Sequence, residues 1–159
     1  MYLTTEKAAE IEPPSTTAPD DTSNAELVDR VMAVTHLPAS AHVAVIGRRT
    51  LPLVLALMRR GCGCVRSLRP GAAAPDCEAA DLAWIVDVDE SELDDALRAA
   101  RFRAGARGRV VVEGAKCRWR NALNAIRDHA MAAGLDVVSF DHTAGRLVLA
   151  ERRRLAQAA

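Results

Sequence analysis

The chain has 159 residues, half of them hydrophobic, and its 21 basic and 21 acidic side chains cancel to a formal net charge of zero. That length suits a single domain with a real core, and the neutral balance supplies no global attraction to nucleic acid or to an anionic membrane. Aromatic residues, at 3%, are too few for a stacking platform under single-stranded nucleic acid, and no run of about 18–20 apolar residues is present to span a bilayer.

Residues 1–23 hold Thr, Pro, Ser and acids without apolar periodicity, which predicts a disordered or loosely attached acidic arm. A single domain is expected over 24–154 and a short tail over 155–159. Ser23 or Asn24 is expected to cap a first helix over about 25–35. The run HVAVIG at 42–47 is short, β-branched and closed by a glycine, the pattern of a strand. TLPLVLALMRR at 50–60 reads as a helix with Pro52 in its first turn, where a missing N–H is tolerated. CGCVRSL at 62–68 reads as a weak strand ended by Arg69-Pro70-Gly71.

LAWIVDV at 82–88 and GRVVVEG at 108–114 are continuous apolar runs, as expected of strands buried on both faces. Between them Ser91 is expected to cap a helix reaching about 104, with Asp94 completing a capping box. Trp119, Leu123, Ile126, Ala130 and Ala133 recur at helical spacing over 117–133, and Gly134 ends that helix. LDVVSFD at 135–141 and GRLVLAE at 145–151 are strands joined by a short turn, hence antiparallel. Strands separated by helices imply parallel neighbours with right-handed crossovers. The expected fold is therefore a Rossmann-like, doubly wound α/β sheet of six mostly parallel strands with a C-terminal antiparallel hairpin.

Three segments carry a family likeness: the hairpin from Gly134-Leu-Asp-Val-Val-Ser-Phe-Asp to Arg146-Leu-Val-Leu-Ala-Glu, the strand Arg109-Val-Val-Val-Glu, and Asp81-Leu-Ala-Trp-Ile-Val. Together they resemble the class I S-adenosylmethionine-dependent methyltransferases over residues 25–153. In that family the first strand ends in an acid and a glycine-rich loop that lets backbone approach the cofactor. Here Ala41-His-Val-Ala-Val-Ile-Gly-Arg-Arg-Thr-Leu aligns with that motif, and Gly47 alone matches. Val45 stands at the acid's place, and Arg49 and Leu51 stand where later glycines belong. Those two bulky side chains are expected to occupy the space of the cofactor's methionine end. The acid that holds the ribose hydroxyls after the second strand is replaced by Leu68 or Arg69, neither an acceptor. Only 13 residues separate Leu68 from Leu82, where the family fits a helix, a strand and a second helix. One strand of the usual sheet, and most of the adenine pocket, are expected to be missing.

The resulting expectation is a non-catalytic methyltransferase-like domain that acts by binding, with no cofactor. The alternatives are an atypical S-adenosylmethionine-dependent methyltransferase and a small anion- or nucleotide-binding module. For the last, Gly47, Arg48, Arg49 and Thr50 are the candidates, since a helix start beside two guanidinia suits an anion. Asp87, Asp89, Glu90 and Glu92 follow the central strand, where roles as acid, base, metal ligand or helix cap stay open. His36, His42, His129 and His142 are scattered and form no evident nucleophile pair.

Cys62 and Cys64 are expected on one face of the second strand. Without a second pair at metal spacing they read as structural thiols rather than zinc ligands. Four cysteines and no secretory leader point to reduced thiols and a cytoplasmic location. Loss of the outer strand leaves 62–68 at a sheet edge, so Cys62, Cys64 and Arg66 are candidate interface residues. The charge is also segmented: residues 76–95 carry nine acids and no base, residues 98–127 nine bases and one acid. Arg101, Arg103, Arg118 and Arg120 of the basic block are further interface candidates. They would face the acidic block of a second copy in a homodimer, another protein or, with weaker support, nucleic acid.

Overall fold

A computed structural model describes residues 21–72, 78–113 and 122–152. Six strands, β1 (His42–Ile46), β2 (Cys64–Leu68), β3 (Leu82–Ile85), β4 (Arg109–Glu113), β5 (Leu135–Asp141) and β6 (Arg146–Glu151), form one sheet in the order β2-β1-β3-β4-β6-β5. The first four run parallel, and β6 inserts antiparallel between β4 and β5. The helices are α1 (Asp21–Thr35), α2 (Leu51–Arg59), α3 (Leu93–Ala104) and α4 (Ala122–Ala132). The alternation of apolar runs and helical stripes therefore reported both the strand number and the reversed hairpin, and β2 stands at the sheet edge, as the strand missing from the family pattern implied.

Strand periodicity explains why the central runs are apolar throughout. Leu82, Trp84 and Val86 pack with Val43, Val45, Val111 and Val148 under α1 and α2. Their neighbours Ala83 and Ile85 face the other way and pack with Ile46, Val110, Val112, Leu147 and Leu149 under α3 and α4. A strand feeding two cores has no polar face to present. β5 differs: only its first residue, Leu135, is buried, and Val138 is exposed.

Local boundaries depart from the expectations in three places. α1 begins at Asp21, so Ser23 and Asn24 lie inside its first turn rather than capping it. The turn before α3 is a 3₁₀ helix, Glu90–Glu92, capped by Asp89 and not by Ser91. Glu92 accepts the Asp89 N–H at 3.2 Å, so the box sits two residues earlier than Asp94 predicts. Finally, β2 starts at Cys64. Cys62 lies before it, donating its N–H to the Leu57 carbonyl at 3.2 Å, and it packs against the α1–α2 core. Cys64 instead lines the opposite face with Arg66 and Leu68. The two thiols do not share a face, because the chain is still turning at Gly61–Gly63. Of the arm expected over 1–23, residues 21–23 belong to α1 and residues 1–20 lie outside the described residues, as do the tail and Arg118, Trp119 and Arg120.

Candidate functional site

In an open parallel sheet, ligands sit at the carboxyl ends of the strands, where neighbouring crossovers part. Here that crest is formed by the loops leaving β1 and β3. Gly47 follows β1 and donates its N–H to the Leu68 carbonyl at 2.9 Å, while Val86 donates to the Ile46 carbonyl at 2.9 Å. The two loops are so close that a Cβ on residue 47 would fall 1.8 Å from the Val86 carbonyl oxygen. Glycine is therefore required for the approach itself. Asp87, the next residue on the β3 side, holds a left-handed backbone with φ of 49°, a conformation Asp tolerates better than most residues.

Arg48 spans the two loops. Its guanidinium lies 2.7 Å from Asp89 Oδ2 and 3.0 Å from Glu92 Oε1. The hydrogen bond from Arg48 holds the Glu92 carboxyl below its ordinary range, helped by the Asp89 N–H. Glu92 in turn raises Arg48, with a further contribution from Asp89. Arg48 is thus already neutralised, unlike the free cation expected of an anion loop. Arg49 is 90% exposed and only grazes Asp87, at 4.0 Å. Leu51 is 66% exposed. Contrary to expectation, neither side chain packs into the crest; the start of α2 turns both toward solvent. Thr50 is the buried member of the loop, its hydroxyl 2.5 Å from the Ser67 hydroxyl. Ser67, Leu68 and Arg69, at the end of β2, supply no carboxylate.

Away from the crest, the basic block does not form one solvent face. Arg98 pairs with Asp95. Arg101 donates to the Ala133 carbonyl at 2.8 Å and to Glu151 at 3.1 Å, tying α3 to α4 and β6. Arg103 is 4% exposed and so is no surface interface residue. Of the edge candidates, Arg66 is exposed and Cys62 and Cys64 are half-buried, with burial pushing the Cys62 thiol up. His129 Nδ1 meets Asp94 at 2.6 Å, not its neighbour Asp128, and His142 stacks edgewise on Phe140. Among the described residues, no three His, Cys, Asp or Glu side chains are grouped to hold a metal ion, and no helix is long and apolar enough to cross a membrane.

One pair was not foreseen. Arg146, which opens β6, donates from Nε to Glu113 Oε1 at 2.7 Å, at the end of β4, with side chains 3% and 5% exposed. The sequence signal was faint: one acid closing an apolar strand and one base opening another.

No family profile and no curated protein matches the sequence. Solved structures do match in shape. The glycopeptide N-methyltransferase MtfA complexed with sinefungin superposes with a TM-score of 0.61 at 12% identity, covering 90% of this chain and 100% of that one. The CcbJ methyltransferase from Streptomyces caelestis gives 0.58 at 13% identity, over 85% and 93% of the two chains. A ribosomal protein L11 methylase from Lactobacillus delbrueckii subsp. bulgaricus gives 0.57 at 15%, over 83% and 78%.

Proposed function

The fold is that of the class I methyltransferases, and we propose that this chain is an atypical S-adenosylmethionine-binding methyltransferase that holds its ligand at the crest between the β1 and β3 loops. The observation that carries the reading is the crest geometry. Gly47 preserves the close backbone junction, and the two side chains expected to fill it, Arg49 and Leu51, turn outward.

The residues present suit one end of that ligand better than the other. Arg48 is a cation whose carboxylate partners, Asp89 and Glu92, are exchangeable for the carboxylate of a methionine end. The ribose end lacks the usual acid, and the Ser67 and Thr50 hydroxyls are occupied by each other. Binding is therefore expected to rest on the backbone of the Gly47 turn and on Arg48. When bound, the ligand would supply an electrophilic methyl group; the chain's own contribution is to position it.

Calorimetry of the full chain with S-adenosylmethionine and S-adenosylhomocysteine tests this reading. Saturable binding that weakens roughly tenfold or more in Arg48→Ala, the scale of one charge-assisted hydrogen bond, supports it. No heat at about 100 µM ligand, a Kd weaker than about −5.5 kcal/mol of binding, rejects it.

A specific observation favours a second reading, a non-catalytic binding domain. The Arg48 bridge closes the crest on itself, and no acceptor replaces the lost acid after β2. In that case the β2 edge, the outer strand of the sheet among the described residues, is the working surface and a second copy its simplest partner. A strictly monomeric mass by light scattering at the same protein concentration as the calorimetry, together with no ligand heat, removes the self-associating form.

A further inference from the structure

The far end of the sheet carries a cavity of about 320 Å³ that neither reading above uses. α4 forms one wall with Leu123 and Arg127, and the β5–β6 hairpin forms the other with Val137, Phe140, His142 and Leu147. None of Arg48, Asp87, Asp89 and Glu92 borders it. β4 separates β6 from β3, the nearer strand of the crest, a span of about 10 Å at the usual strand spacing. The cavity is mostly apolar with a few polar groups converging on it, the make-up of a small-molecule site.

An irregularity in β5 builds the apolar wall. Residues directly opposite one another in a sheet face the same side. Val137 stands opposite Leu149 and Phe140 opposite Leu147, and both leucines belong to the core under α3 and α4. On a regular strand, side chains three residues apart point to opposite faces. Here the ladder passes over Val138, which is 53% exposed, and this bulge brings Val137 and Phe140 to one side. Bulges of this kind re-aim side chains and are concentrated beside active sites. The wall is also held in place. His142 meets the Phe140 ring edge-on, with centroids 3.9 Å apart. Its turn is fixed by the Asp141 carboxylate, which accepts the N–H groups of Thr143 and Ala144. A ligand therefore meets an aromatic pair that is already ordered.

Size and charge narrow the occupant. An apolar cavity of about 150 Å³ takes one benzene molecule, so this one has room for a ring with a short side chain. Among the described lining residues, Arg127 alone carries a permanent charge. Its Nε faces Asp128 at 3.3 Å, and the guanidinium fork has further donors for a planar carboxylate.

We propose that this cavity binds a small aromatic carboxylate, its ring against Val137 and Phe140 and its carboxylate at Arg127. The site is separate from the crest, and its occupancy does not rest on S-adenosylmethionine binding.

The test uses the full chain and cinnamate, with cinnamyl alcohol as the uncharged match and acetate as the anion without a ring. Titration followed by amide NMR should show saturable cinnamate binding with a Kd at or below about 1 mM, the scale for a ligand of this size. The shifts should concentrate at Leu123–Arg127, Val137–His142 and Leu147. Arg127→Gln, at an exposed position, should weaken cinnamate binding about tenfold and leave cinnamyl alcohol binding unchanged. Val137→Trp, at a strand position 37% exposed, should fill the cavity and abolish binding of both in a chain that still folds. Four outcomes overturn the proposal: no saturable shifts, shifts centred on another patch such as the exposed Phe102 of α3, equal affinity for cinnamate and either comparison compound, or cinnamate binding unchanged in either variant. None of them involves the crest, so failure here leaves that reading intact.

Discussion

Gly47→Ala probes the crest most directly. The added methyl would meet the Val86 carbonyl oxygen at 1.8 Å and its carbon at 2.9 Å. Both are backbone atoms, so no side chain can swing aside and the β1 and β3 loops must separate. One hydrogen bond lies across that junction, from the Val86 N–H to the Ile46 carbonyl. Losing it costs about 1 kcal/mol, and forced overpacking adds about 1–3 kcal/mol. The sum, about 3 kcal/mol, is a large part of a typical stability of roughly 5–15 kcal/mol. For a chain of this length it lowers the melting temperature by about 6–12 °C. Gly61→Ala is the control: it also has positive φ, at 91°, but nothing lies within 4 Å of its Cβ. Its cost is backbone strain alone, about 1–2 kcal/mol. Urea denaturation of both variants decides the matter. A Gly47→Ala variant no less stable than Gly61→Ala refutes the close-approach argument.

Arg146→Met removes the charge-assisted hydrogen bond to the buried Glu113 carboxylate and should lower stability by about 1.5–3 kcal/mol at neutral pH, read by urea denaturation. The Glu92 carboxyl lies below its ordinary value because of Arg48, so its contribution is fully present above the unfolded-state value and is lost as pH falls through the depressed folded value. In an NMR titration, Arg48→Ala should move the Glu92 midpoint upward, and an unmoved midpoint contradicts the bridge. Asp141 accepts the N–H groups of Thr143 and Ala144, each at 3.0 Å, which lowers its carboxyl; Asp141→Ala should loosen the hairpin turn by about 1 kcal/mol, seen as faster amide exchange at those two residues. Burial raises the Cys62 thiol, so mass-mapped alkylation at pH 8 should modify Cys62 more slowly in the folded chain than in urea.

The sheet was legible because its evidence is redundant: each of Leu82–Ile85 and Val110–Val112 is apolar at successive positions, and only two-sided burial asks for that. The crest was legible residue by residue but not as an assembly. The arginine pair after β1 and the acids after β3 are each visible, yet their pairing requires knowing that the two strands are neighbours. The direction of Arg49 and Leu51 was misjudged because alignment to a motif gives positions and not side-chain vectors. Cys62 and Cys64 were placed together by strand periodicity applied two residues too early. Arg103 did carry a signal, since it falls seven residues after Ala96 and three after Ala100 on the buried stripe of α3. Its charge argued for the surface, and helical phase won.

The Glu113–Arg146 pair has a consequence for how the chain finds its fold. β5 and β6 are adjacent in sequence and can close locally, whereas β6 must then dock on β4, which lies some thirty residues earlier. Two apolar strands offer several alignments of similar burial, and a slip of one residue turns every side chain to the opposite face. In a slipped alignment Arg146 no longer stands opposite Glu113, and the buried charge-assisted bond between them is lost. The pair therefore penalises every pairing except the one observed, in which Glu113 stands opposite Arg146. It acts as an alignment pin for the last step of sheet assembly, whatever its net effect on stability.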